Sequence, residues 1–93
     1  MAKARARHIL VDTKDQCEEL KGKILSGGDF AEIAKQYSTC PSGKQGGDLG
    51  EFGPGQMVQE FDEVVFSAEL NKVQGPVKTQ FGYHLLEVTS RTD

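Results

Sequence analysis

The stretch STCPSGKQGGDLGEFGPGQMVQEFDEVVF, residues 38–66, carries the most distinctive pattern of the chain. Its first half has glycine at positions 43, 46, 47, 50, 53 and 55 and proline at positions 41 and 54, a composition typical of a structured loop. Within that loop, residues 48–52 are predicted to form one short strand, and residues 53–55 turn the chain. A helix ending near Ser67 is predicted next, because apolar residues recur at helical spacing: Met57, Phe61, Val64 and Val65.

The residues before this stretch predict one strand followed by two helices. Alternating residues from Ala4 to Val11 indicate the strand. Asp12 is then predicted to cap a helix that runs to about Ser26, where Gly27 and Gly28 follow. Asp29 is predicted to cap a second helix, because an acidic residue follows at the spacing of a capping box.

The residues after the stretch predict a β-hairpin that closes the chain. Residues 70–78 and 82–90 are rich in strand-forming residues, and the turn is predicted at residues 79–81. The predicted order is strand, helix, helix, glycine-rich loop with a strand, helix, strand, strand. Helices segregated from a small antiparallel sheet indicate an α+β domain.

Composition limits the possible functions of the chain. With 93 residues, 37% of them hydrophobic and 27% charged, residues 1–93 fit a single globular domain. The net charge of −3 argues against sequence-independent binding to nucleic acid. No apolar run approaches the roughly 20 residues that cross a bilayer, so no membrane partner is expected. A cytoplasmic location is expected unless the domain belongs to a larger exported protein. The two cysteines form no CxxC pair, which predicts reduced thiols.

The common cofactor motifs are absent from the sequence. The glycines do not follow the GxGxxG or GxxxxGK spacing of phosphate-binding loops. His8, Cys40 and His84 are scattered, and their separations match no recognised zinc module. We therefore expect neither a metal nor another cofactor.

The two histidines lie in similar apolar contexts, His8 in HILV and His84 in HLLEV. His8 shares a predicted strand face with Ala6 and Leu10. His84 shares one with Leu86 and Val88, so both imidazoles are expected to be buried and uncharged. Buried ring nitrogens need hydrogen-bond partners, and each imidazole is a suitable partner for the other. Such a pair can simply link two strands or belong to a functional site, and spacing alone leaves both interpretations open.

The opening HILV, residues 38–66 and the segment GPVKTQFGYHLLEV, residues 75–88, together resemble the parvulin family of peptidyl-prolyl cis/trans isomerases. The resemblance is closest to small single-domain bacterial parvulins and extends from Ala4 to Arg91. It implies an FKBP-like α+β fold, with a four-stranded antiparallel sheet surrounded by about four helices, one of them a short turn near residues 42–45. It also implies an enzyme that accelerates rotation about X-Pro bonds without covalent chemistry and assists protein folding.

The resemblance also implies the site. It assigns Leu49, Met57 and Phe61 to a proline pocket, with Phe81 as a further wall, although spacing alone would make the first three ordinary core. Beneath the pocket it places one hydrogen-bonded cluster: His8, Cys40, Thr79 and His84. The implied partners are proline-containing peptides and unfolded or nascent proteins, bound by a monomer.

Substrate preference follows from the segment Asp12 to Asp15. The phosphate-directed branch of the family has a basic loop here, whereas this chain has one lysine between two aspartates, which holds a phosphate dianion poorly. That branch also tends to have a small polar residue at the position of Phe81. The chain contains no tryptophan and therefore no WW module. We expect an uncharged, apolar residue before proline in the substrate.

Two other classes of function stay open at this point. The chain can be a peptide-binding or chaperone-like module without catalysis, since fold does not determine function. It can also be a thiol enzyme in which Cys40 acts as nucleophile beside a histidine base. The thiol enzyme is disfavoured because members of the parvulin family have either Cys or Asp at the position of Cys40. A carboxylate cannot simply replace a thiol in acyl transfer.

Overall fold

A computed structural model describes residues 3–92, which form a four-stranded antiparallel sheet with helices packed against both faces. The elements in chain order are β1 (Lys3–Val11), α1 (Lys14–Leu25), α2 (Phe30–Tyr37), a 3₁₀ turn (Pro41–Gln45), β2 (Asp48–Phe52), α3 (Gln59–Val65), β3 (Val73–Thr79) and β4 (Gly82–Thr92). The strand order is β2-β1-β4-β3, so the first and last strands are neighbours at the centre of the sheet.

The α+β class and the four-stranded antiparallel sheet are confirmed. The helix count differs from the expected four, because three segments are α-helices and the segment Pro41–Gln45 is a single 3₁₀ turn. Pro41 begins that turn, where its missing N–H is tolerated, and the left-handed Gly46 ends it. The likeness to FKBP folds stays a prediction.

Each face of the sheet has its own apolar core, because successive residues of a strand point to opposite faces. Toward α1 and α2, the strands contribute Ile9, Val11 and Leu85. Toward α3, they contribute small and branched residues that pack on Phe61 and Val65: Ala4, Ala6, Leu86 and Val88. The predicted alternation of β1 is confirmed, and it places His8 on the face that carries α3.

The first two helices begin with side-chain caps. Thr13, rather than the predicted Asp12, caps α1, because the chain stays extended through Thr13 and its hydroxyl accepts a hydrogen bond from the Gln16 N–H at 3.2 Å. Asp29 caps α2 as predicted, with its carboxylate accepting from the Ala31 N–H at 3.2 Å.

Two later elements begin further along the chain than predicted. Val58 is still extended and is the N-cap of α3, so Met57 precedes the helix and does not project from it together with Phe61. Strand β3 begins at Val73 and not at residue 70, because Asn71 has a left-handed φ of 61° and its N–H donates to the Val88 carbonyl. Over residues 3–92, no helix combines the length and the apolar character needed to cross a bilayer.

Candidate functional site

A cavity of about 410 Å³ opens between α3 and the sheet, and seven of the eight predicted site residues line it. They are His8, Cys40, Leu49, Met57, Phe61, Phe81 and His84. The eighth, Thr79, lies below the cavity and bonds to His84. The described lining contains no aspartate, glutamate, lysine or arginine side chain, so its walls suit an uncharged, apolar group.

The apolar walls come from four different parts of the fold. Phe61 lies in the first turn of α3 and is 3% exposed, while Leu49 belongs to β2. Met57 comes from the loop before α3, and Phe81 from the turn between β3 and β4. Phe81 is 61% exposed, which is unusual for a phenylalanine and places an apolar ring at the rim.

The floor of the cavity is the pair of imidazoles. His8 of β1 is in register with Leu86 of β4, and His84 is in register with Leu10, so the two histidines are diagonal neighbours on one face. Their Nδ1 atoms lie 3.0 Å apart, and their rings stack with an angle of 15° between planes. Both residues are at most 5% exposed. The predicted contact between the two imidazoles is therefore present.

Phe61 covers this floor. Its ring meets His8 edge-on, with centroids 5.4 Å apart, and meets His84 in the same way at 5.2 Å. Edge-to-face geometry is the favourable arrangement for such rings. The aromatic wall and the imidazole floor are consequently one packed unit.

Hydrogen bonds extend from the imidazole pair in both directions. On one side, the Ser42 hydroxyl lies 2.9 Å from His8 Nε2 and donates to Cys40 Sγ at 3.4 Å. On the other side, Thr79 Oγ1 lies 2.7 Å from His84 Nε2 and accepts from the Phe81 N–H. All four ring nitrogens therefore have a partner within the protein.

We assign the tautomers of the two histidines by following the hydrogen bonds from Cys40. With the Ser42 hydroxyl donating to Cys40, its oxygen is assigned as the acceptor of a proton on His8 Nε2. His8 Nδ1 is then an acceptor, and His84 donates from its own Nδ1. His84 Nε2 is left to accept from the Thr79 hydroxyl. Each group of the network therefore donates to the next, in the order Thr79, His84, His8, Ser42 and Cys40.

Both imidazoles are neutral at pH 7. Burial, together with a smaller effect of the neighbouring His84, lowers the pKa of His8 from 6.5 to about 4. Burial also lowers the pKa of His84, against an opposing effect of the Glu60 carboxylate. A neutral pair is what the tautomer assignment requires, since a protonated ring has no acceptor nitrogen.

Backbone contacts bring the loop of residues 38–47 against β1. The Thr39 N–H donates to the Leu10 carbonyl, and the Leu10 N–H donates to Ser38 Oγ. The His8 N–H donates to the Gly47 carbonyl at 2.9 Å, and a Cβ on Gly47 would collide with the His8 carbonyl oxygen. Only glycine allows this approach, which places Cys40 and Ser42 beside the histidines.

Cys40 is connected to the imidazole pair through Ser42. The resemblance implies one hydrogen-bonded cluster with His8, Thr79 and His84, and the described link from Cys40 to His8 passes through the Ser42 hydroxyl. Both cysteines are free thiols, and burial raises the pKa of Cys17 to about 11. In the described residues no imidazole nitrogen is hydrogen-bonded to Cys40, which is the bond that a thiol nucleophile with a histidine base would need.

Sequence reasoning missed five residues of the site. Ser42 lies in the glycine-rich loop, and its position in the sequence does not indicate which group its hydroxyl contacts. The others line the cavity: Leu10, Thr39, Pro41 and Val58. Leu10 had a usable signal, because it shares the predicted strand face of His8. Residues 3–92 bring together no group of three histidine, cysteine or acidic side chains able to hold a metal ion.

Comparison with known proteins agrees with this geometry. Residues 1–92 match the family described as the PPIC-type PPIASE domain. The foldase protein PrsA of Geobacillus sp. (strain WCH70) is 49% identical over 92 residues, which cover 98% of this chain and 33% of that protein. The chain thus spans about a third of the length of such curated relatives.

Solved structures give the same result. The PrsA isomerase of Bacillus anthracis superposes with a TM-score of 0.95 at 35% identity, over 99% of this chain and 43% of that one. NmPin, the parvulin of Nitrosopumilus maritimus, superposes with a TM-score of 0.87 at 33% identity, over 97% of this chain and 98% of that one. The chain therefore belongs to the PPIC-type peptidyl-prolyl isomerase family, the parvulins.

Proposed function

We propose that this domain accelerates rotation about X-Pro bonds by seating the proline ring in the cavity above the imidazole pair. The observation that carries the proposal is the contrast between two layers of the site. The walls are apolar and uncharged, and the floor is a hydrogen-bonded pair of neutral histidines. Leu49, Met57 and Phe61 contact the ring, and Phe81 covers the neighbouring part of the peptide.

Rotation about the bond needs no nucleophile. The barrier of about 18–20 kcal/mol comes from amide resonance, which is lost as the bond twists. The planar amide has the more polar carbonyl, so removing water from that carbonyl favours the twisted form. For each tenfold acceleration, the site must bind the twisted amide more tightly than the planar amide by about 1.4 kcal/mol. Walls that exclude water and fit the twisted form supply this difference in binding free energy.

The histidines act as a fixed floor and not as proton carriers. Each of their four ring nitrogens has a protein partner, so none is free to take a proton from the substrate. Thr79 and Ser42 hold the rings in place, and Phe61 packs across both. Cys40 lies at the end of the network and tunes the local field, in a role that needs no covalent bond to the substrate.

The preferred substrate has an uncharged, apolar residue before proline. Leu10 and Phe81 supply apolar surface at the cavity, and the described lining offers no basic group for a phosphate. The segment from Asp12 to Asp15, which follows β1, has one lysine between two aspartates. A phosphate dianion there would meet as much repulsion as attraction.

The test is a protease-free NMR exchange assay on short proline peptides that vary in the preceding residue. Met57→Ala should reduce the acceleration, because it removes one wall of the pocket. Leu25→Ala is the matched control, since it truncates a leucine that is 69% exposed on α1. If folded protein binds these peptides but accelerates none, the site is a recognition module. A large rate advantage for phosphoserine-proline over serine-proline would contradict the substrate preference.

The natural clients follow from the same chemistry. Exposed X-Pro bonds occur in unfolded and nascent proteins, and we propose these as substrates, with a role in their folding. The relatives called foldases are consistent with this role. Function as a monomer stays a prediction from the family resemblance. A cytoplasmic location without a membrane or nucleic-acid partner stays a prediction from composition.

A further inference from the structure

The loop before α3 carries Met57 without support from regular secondary structure. Its first residues bond among themselves: the Gly53 N–H donates to Gln56 Oε1 at 2.8 Å, and the Gln56 N–H donates to the Gly53 carbonyl. Gly55 has a left-handed φ of 86° and open space around its Cα. Glycines at positions 53 and 55 make such a loop conformationally permissive unless it is held from outside.

Asp62 fixes this loop by a hydrogen bond from α3. Its Oδ2 accepts a hydrogen bond from the Gly55 N–H at 2.6 Å. The bond closes a segment of eight residues, from Gly55 to Asp62, that contains three walls of the cavity: Met57, Val58 and Phe61. One carboxylate therefore constrains the backbone that presents all three side chains.

The second oxygen of the same carboxylate is an unusual feature. Asp62 Oδ1 is buried and has no hydrogen-bond partner among the described residues. A buried, unpaired oxygen costs free energy, which the bond of Oδ2 to the Gly55 N–H offsets. Phe61, directly before Asp62, packs against the imidazoles, so α3 contributes to the pocket on one side and holds the loop on the other.

We infer that Asp62 is a positioning residue for substrate binding, which fixes the Gly53–Met57 loop so that the Met57 side chain faces the proline. The inference rests on the proposed function of the cavity. Methionine has three rotatable bonds and adapts its shape to its surroundings, so its wall is well defined only if its backbone is. The imidazole network lies outside this loop and is left intact.

The test compares Asp62→Ala, Asp62→Asn and Glu63→Ala in the full chain. Asp62→Ala should raise the KM and the Kd for an apolar X-Pro peptide about three- to tenfold, the range expected for one hydrogen bond, with a much smaller change in kcat. Asp62→Asn keeps an oxygen acceptor and should restore binding toward wild type. Glu63→Ala removes an exposed carboxylate from the same helix and should leave binding unchanged.

Two NMR signals report on position independently of activity. The methyl group of Met57, labelled with ¹³C, should shift in Asp62→Ala and return in Asp62→Asn. The ring signals of His8 and His84 should not move. Wild-type affinity together with an unshifted Met57 methyl in Asp62→Ala would overturn the inference, as would an equal loss in Glu63→Ala.

Met57→Ala separates this inference from the proposed function. If Met57→Ala weakens peptide binding and Asp62→Ala does not, the role of Asp62 is wrong and the pocket stands. If Met57→Ala leaves binding unchanged, the assignment of the pocket is wrong, and the inference about Asp62 fails with it.

Discussion

Lowering the pH should destabilise this domain because His8 is folded in its uncharged form. Burial, reinforced by His84, lowers the pKa of His8 from 6.5 to about 4. Between these two pH values the unfolded chain binds a proton that the folded chain does not. The free energy of unfolding therefore falls as the pH decreases through this window, and it is highest above pH 6.5.

The size of the effect follows from the two pKa values. By proton linkage, His8 alone should cost about 2 kcal/mol of stability between pH 7.5 and pH 5, and about 3 kcal/mol once the pH is below 4. The pKa of His84 is also lowered by burial, so its contribution has the same sign. Domains of this size are stable by only about 5–15 kcal/mol, so the loss is large enough to measure.

Urea unfolding of wild type and His8→Gln at pH 7.5, 6 and 5 provides the assay. Glutamine keeps a donor and an acceptor but does not titrate, so the variant should lose much less stability over this range, whatever its stability at pH 7.5. An equal loss in both proteins would refute the reasoning. So would a ring titration by NMR in which the His8 midpoint lies near 6.5.

Three further changes test other parts of the site. Cys40→Asp should retain isomerase activity in the peptide assay, because no covalent bond is formed; complete loss in a folded variant would reopen thiol catalysis. Ser42→Ala should cost about 1–2 kcal/mol by leaving the His8 Nε2–H without its acceptor, and wild-type ¹⁵N spectra showing the proton on Nδ1 instead would contradict the tautomer assignment. Arg91 Nη1 donates to the carbonyls of Val65 and Ala68 at the end of α3. Arg91→Ala should therefore lower the free energy of unfolding in urea by about 1–3 kcal/mol, and an unchanged midpoint would show that this cap contributes nothing.

Local rules in the sequence were sufficient for most of the fold. Alternation placed His8 on the correct face of β1, and Asp29 marked the start of α2, because both depend only on near neighbours. The start of α3 was predicted too early, since Met57 is apolar and continues the helical spacing although Val58 is still extended. A pattern of apolar residues does not distinguish a helical residue from a loop residue that points into the same cavity.

The site was predictable to the extent that its members have distinctive chemistry. Two histidines on apolar strands require buried hydrogen-bond partners, and for this reason their mutual contact was predicted correctly. Ser42 was missed because its partners, His8 and Cys40, come together only when the 3₁₀ turn packs on β1. Asp62 was missed for a similar reason, since its bond to Gly55 depends on the path of a loop that no periodicity describes.

The pairing of β1 with β4 has a consequence for how this domain can be joined to other chains. Lys3 is paired with Thr92, so the backbone enters the sheet and leaves it at adjacent positions. A host protein can therefore receive the whole unit at a single surface loop, with little separation to bridge. His8 lies five residues along β1 from this point, a distance of about 17 Å at the rise of a strand. A junction made beside Lys3 and Thr92 is therefore separated from the imidazole pair by several residues of both central strands.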